Sequence, residues 1–190
     1  MKTLGWMISL GLLASGGKVI NFDNSQLGKA PAGWSIGTNR GPAGRWEIRR
    51  DRSAPTQPYV LAQLSSDPAA NRAPLAILDN LSLRDGDVSV RIKPVAGRED
   101  PGGGLVWRYR DENNYYLVRA NVTQNTVAVD KVENGRRIPL VAGVRHDIPF
   151  NAWSILKVSA RGNRFQVYVD HRRILQGEDN TFTGAGKVGL

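Results

Sequence analysis

Residues 102–140 read GGGLVWRYRDENNYYLVRANVTQNTVAVDKVENGRRIPL. Apolar side chains recur here every second residue: Leu105, Trp107 and Tyr109, then Tyr116, Val118 and Ala120, then Val127 and Val129. A period of two is that of a strand with one buried face; a helix would need 3.6. The run breaks at polar turn chemistry at residues 111–114, at 123–125 and at Asn134-Gly135. Asn-Gly between alternating segments is a strong hairpin signal. The stretch is therefore expected to be four antiparallel strands in a meander.

The same period extends outward. Trp46 and Ile48 predict a strand over 46–49, and further strands are expected over 59–64 and 75–78. In 87–95, Val88, Val90 and Ile92 alternate with Ser89, Arg91 and Lys93, and Pro94 marks a strand end or an edge. Residues 152–160 and 165–170 flank a tight turn at 161–164, and a second turn at 170–173 returns through Ile174 and Leu175. A first strand is expected over 19–23, followed by loop over 24–44, punctuated by Pro31, Gly33, Gly37, Gly41 and Pro42. At least ten strand segments, with no helical period and no internal repeat, specify an all-antiparallel sandwich or barrel.

At 190 residues the chain suits one well-buried domain. It has no cysteine, which excludes thiol catalysis, disulfides and cysteine-bound zinc. The N-terminus reads Met1-Lys2-Thr3, an apolar run over 4–13, then Ala14-Ser15-Gly16. This matches a secretory signal with cleavage after Gly16; a short retained anchor is the alternative, although the run falls well short of the ~20 residues that span a bilayer. The expected division is residues 1–16 as signal or anchor and 17–190 as one domain, in the periplasm or outside the cell, membrane-associated if the N-terminus stays.

Formal charge is +9, from 26 basic and 17 acidic residues. The arginines are scattered and no recognition helix accompanies them, so the charge points to anionic polysaccharide, lipid headgroups or an acidic protein rather than to nucleic acid.

The chemistry-bearing residues are few. The acidic pairs Glu99-Asp100, Asp111-Glu112 and Glu178-Asp179 all lie in turn contexts. His146 and His171 have no Ser or Cys motif beside them, and no nucleophile elbow, zinc-protease helix or phosphate loop is present. No catalytic residue, metal ligand or cofactor is assigned. Residues 111–114 offer oxygen ligands for calcium, but a polar turn does so by default.

The order of these segments resembles the concanavalin A-like lectin and glucanase superfamily. Within it the chain is similar to laminin-G-like domains and to the 3-keto-disaccharide hydrolase family. The resemblance rests on a glycine-led strand (104–109), the Asn114-Tyr115-Tyr116 strand, the Asn134-Gly135 turn, the Trp153-led strand, the hairpin over 165–174, and the closing Gly186-Lys187-Val188-Gly189-Leu190. It implies a two-sheet antiparallel jelly-roll sandwich. In such domains another strand follows the closing step, so the expectation is either a fragment lacking its last strand or a sheet edge that stands open, where a partner strand can add. A glucanase of this superfamily needs a Glu-x-Asp-x-x-Glu strand to place acid and nucleophile, and this sequence has none.

The expectation is a non-catalytic exported recognition domain that binds glycan or another envelope protein. The alternatives are an accessory subunit of a membrane-associated complex and a hydrolase of 3-keto sugars. Arg108, Tyr116, Lys131, Gln166 and Tyr168 are expected to form the ligand face.

Overall fold

The computed structural model describes residues 6–10, 18–39, 41, 43–56, 58–65, 73–95 and 102–190. Its strands are β1 (Trp6–Leu10), β2 (Trp34–Thr38), β3 (Trp46–Arg50), β4 (Tyr59–Gln63), β5 (Pro74–Leu83), β6 (Gly86–Pro94), β7 (Gly102–Asp111), β8 (Asn114–Asn121), β9 (Thr126–Glu133), β10 (Arg136–Arg145), β11 (Ser154–Arg161), β12 (Arg164–Val169), β13 (Arg172–Glu178) and β14 (Gly186–Gly189). They form two seven-stranded sheets, and every strand pair is antiparallel. The first sheet runs β13-β12-β11-β6-β1-β4-β3 and the second β10-β9-β8-β7-β14-β5-β2. The fold is the jelly-roll sandwich.

The meander forms as its alternation requires, as β7 to β10. Asn134 and Gly135 both take positive φ (51° and 75°), which the right-handed twist of a two-residue hairpin needs. Between the sheets lies one large core. The second sheet contributes Leu105, Trp107, Tyr116, Val118, Val127 and Val129; the first contributes Ile48, Leu61, Val90, Ile92, Leu156, Val158 and Val167. Trp107 is its hub, with its ring 5.2 Å from Tyr116 and 5.8 Å from Phe165 on the facing sheet.

Three local expectations are corrected. Residues 19–23 form no strand; Phe22 alone is buried there, as a plug against Trp34. The loop over 24–44 contains β2, whose Trp34 and Ile36 face the core. The third correction is at Arg108, where φ is 50° inside β7 and the β7–β8 register shifts between Trp107 and Asp111. This bulge leaves Leu105 and Trp107 in the core but sends Tyr109 to the opposite face. Gly186 makes room for it: a Cβ there would lie 2.4 Å from the Arg108 carbonyl carbon.

The backbone of Trp6–Leu10, part of the apolar run read as an export segment, pairs with β6 on one side and β4 on the other.

Candidate functional site

The outer face of the second sheet is apolar at its centre and polar at both flanks. A single cross-strand row crosses all seven strands: Pro139, Asp130, Leu117, Val106, Gly189, Ile77 and Ser35. Leu75, Ile77, Val106, Tyr115, Leu117 and Val132 make a second buried cluster on this side, with Ala73 and Tyr109 packed against it. An outward sheet face needs no apolar patch for folding, because water can solvate it. Here the patch is a floor.

On one flank Asp130 is buried, and two guanidinium groups reach it. Arg119 Nε donates to its Oδ2 at 2.5 Å, and Arg137 Nε stands 3.8 Å from the same oxygen. Burying a carboxylate is tolerable only with such partners. On the other flank Ser35 Oγ and Lys187 Nζ donate to Asp79 Oδ1 at 2.8 and 3.1 Å. The Ser35 bond first, then Lys187, hold the Asp79 carboxyl below its ordinary range.

Between the flanks stand Tyr109 and Tyr115, with ring centroids 5.7 Å apart. Burial raises both phenol pKa values; at Tyr109 the charges of Glu112, Asp111 and Asp79 add to it. Tyr115 is fully buried and its hydroxyl has no hydrogen-bond partner. Native proteins rarely leave such a group unsatisfied.

The expected ligand residues do not share one face. The Arg108 side chain is buried and ties three segments together: Nε donates to Arg84 O (3.1 Å), Nη1 to Phe182 O (2.8 Å) and Nη2 to Gly162 O (2.5 Å), with Asp85 at 3.4 Å. Tyr116 points into the core; its hydroxyl donates to Asp179 Oδ1 (2.6 Å) and accepts from the Phe182 N–H (2.9 Å). Lys131 joins the same knot, donating to Thr181 Oγ1 at 2.6 Å and ion-pairing with Glu133 and Asp179 at 3.0 and 3.4 Å. These three residues hold the sandwich together. Gln166 and Tyr168 lie on the first sheet, where the Tyr168 hydroxyl donates to Gln166 and Lys157 sits over its ring at 4.2 Å.

Alternation along β8 already puts Tyr115, Leu117 and Arg119 on one side. Sequence reasoning missed Tyr109, because nothing in the sequence marks the bulge, and missed the partnership of Asp130 with Arg119 and Arg137, which needs the β8–β9–β10 register. Among the described residues no group of three His, Asp or Glu side chains is placed to hold a metal ion.

The chain is similar to a carbohydrate-binding module. The structure of CBM66 from Bacillus subtilis superposes with a TM-score of 0.64 at 25% identity, over 83% of this chain and 85% of that one. In sequence, 102 residues are 32% identical to the levanase of Bacillus subtilis strain 168. That match takes in 53% of this chain and 14% of the levanase, so the chain spans only a small part of that enzyme. No protein-family model matches.

Proposed function

We propose that this chain is a non-catalytic carbohydrate-binding domain that receives glycan on the outer face of its second sheet. The observation that carries the reading is the half-buried ring of Tyr109, packed against an apolar floor that includes the buried Tyr115, between two charged flanks. A sugar ring offers an apolar C–H face and a rim of hydroxyls. Aromatic rings receive the first, and charged planar groups receive the second through strong hydrogen bonds. Similarity to CBM66 across more than four-fifths of both chains supports the same assignment.

The absence of turnover belongs to the same proposal. Hydrolysis needs an acid and a second carboxylate flanking the bond. On this face Asp130 is engaged by Arg119, and Asp79 by Ser35 and Lys187.

Affinity electrophoresis of the full chain against a panel of glycans, levan included, tests the reading. Retardation by at least one glycan, with no reducing ends released from it or from a 3-keto disaccharide, is the expected result. Tyr109→Ala should weaken that binding about tenfold, the loss of roughly one aromatic contact. Product release by the full chain would reject the non-catalytic assignment; absence of binding at millimolar concentration would reject the glycan assignment.

A further inference from the structure

The two flanks of the outer face differ in charge, and the difference selects a ligand. On the β2, β5 and β14 side the pair Asp79 and Lys187 balances. On the β8, β9 and β10 side the cross-strand register turns Arg119, Arg137 and Arg145 to the outer face, and Asp130 is the carboxylate of these three strands that it turns the same way. Asp130 is shared by Arg119 and Arg137. The edge strand β10 carries three arginines, all exposed, and no carboxylate.

A run of positive charge is by itself only a solvated edge. The second observation is the Tyr115 hydroxyl, which is buried and without a partner, in the cross-strand row Tyr115, Val132, Arg137. The half-buried ring of Tyr109 covers one side of it, and the Arg137 side chain beside it is about one-third exposed. A phenol O–H and guanidinium N–H groups are donors. What they require together is a group made of acceptors, and a carboxylate or sulfate oxygen answers both the donors and the excess charge.

We propose that the β8–β10 half of this face binds an anionic glycan, with a uronate carboxylate or a sulfate placed between Tyr115 and the Arg119–Arg137 pair. The inference rests on the carbohydrate-binding reading and narrows it. Binding would draw the Tyr115 hydroxyl into its missing hydrogen bond.

The test compares polygalacturonate with neutral levan by affinity electrophoresis of the full chain. The variants are Tyr115→Phe, Arg137→Gln, and a remote control, Arg172→Gln with Arg173→Gln on β13. The expected result is tighter binding to polygalacturonate than to levan, at least tenfold weaker in Tyr115→Phe and in Arg137→Gln and unchanged in the control. Binding to polygalacturonate should also fall as salt rises, since exposed charge is screened. The melting temperature of Tyr115→Phe should be equal to or above that of the parent, because the variant deletes an unsatisfied buried hydroxyl; weakened binding is then not a folding defect. Equal or tighter binding to levan would overturn the anionic preference while leaving the carbohydrate-binding reading standing. So would loss of polygalacturonate binding in the β13 control to the same degree, which would mark the attraction as net charge alone. Failure of both polymers to bind would remove both.

Discussion

Tyr115 and Tyr116 are neighbours with the same side chain and opposite tasks. A strand turns successive residues to opposite faces, so one hydroxyl goes to the outer face and the other to the core end. Tyr116 donates to Asp179 and accepts from the Phe182 N–H, which pins residues 179–182 over the edge of the sandwich. Removing that oxygen strands a buried backbone donor and takes a partner from the carboxylate. Tyr116→Phe is therefore expected to lower unfolding free energy by about 2 kcal/mol, read from the urea midpoint at unchanged slope. Glycan binding should survive the change, since Tyr116 does not reach the outer face. An unchanged midpoint would show that the 179–182 segment is held elsewhere. A break in that parity turns Arg108 away from the expected ligand face. Its positive φ breaks the alternation, and its guanidinium turns to the carbonyl groups of residues 84, 162 and 182.

Among the elements, β1 bridges two strands of the first sheet. Five residues join β6 to β4, with Trp6 to Leu10 opposite Pro94 to Val90, and Trp6 to Ile8 opposite Gln63 to Leu61. A short apolar run reads equally well as an export segment or as an interior strand, because both need apolar residues and neither needs charge. Only a partner separates them. If β1 holds its place, a chain of residues 17–190 loses two ladders in the middle of the first sheet. Its melting temperature is then expected to fall by about 10 °C relative to the full chain, since several kcal/mol of backbone pairing go with the strand. Equal melting temperatures would mean that β4 and β6 are stable without it. Elsewhere the hairpins were legible: Asn134-Gly135 set the β9–β10 turn, and Gly162 takes positive φ (57°) between β11 and β12. β2 was not legible, because five residues between glycines and prolines carry too little alternation to stand out.

At the scale of the molecule, stability against pH follows from buried ionisable groups of two kinds. Burial alone would raise Asp51, Asp87 and Asp179, but their donors overcome it: Ser53 and Lys93 for the first, Ser159, Lys157 and Arg161 for the second, Tyr116, Thr181 and Lys131 for the third. Asp79 is held low by Ser35 and Lys187. A folded pKa below the unfolded value of about 3.9 means that the unfolded chain binds more protons in between. That contribution is complete above about pH 4 and is lost as pH falls through the folded values. Tyr115 and Tyr116 are raised, chiefly by burial, so their contribution is complete below the unfolded value near 10 and is lost as pH climbs past it. The melting temperature is expected to be flat from about pH 5 to 9 and to fall on both sides. In Asp179→Asn the acid limb should be shallower; an identical limb would remove Asp179 from the account.

The sequence by itself determined the class of fold, the meander, its turns and the main core, because apolar period and turn chemistry are local and repeat along the chain. It also determined the lack of any thiol chemistry and of the glucanase carboxylate strand. Tertiary structure alone decided the site. Tyr109 reaches the outer face through a bulge that Gly186 accommodates from another strand, Asp130 meets its arginines across two registers, and Ser35 and Lys187 reach Asp79 from strands far apart in the chain. Those meetings depend on which strands lie side by side, and sheet order is set by burying the whole core at once rather than by any single segment.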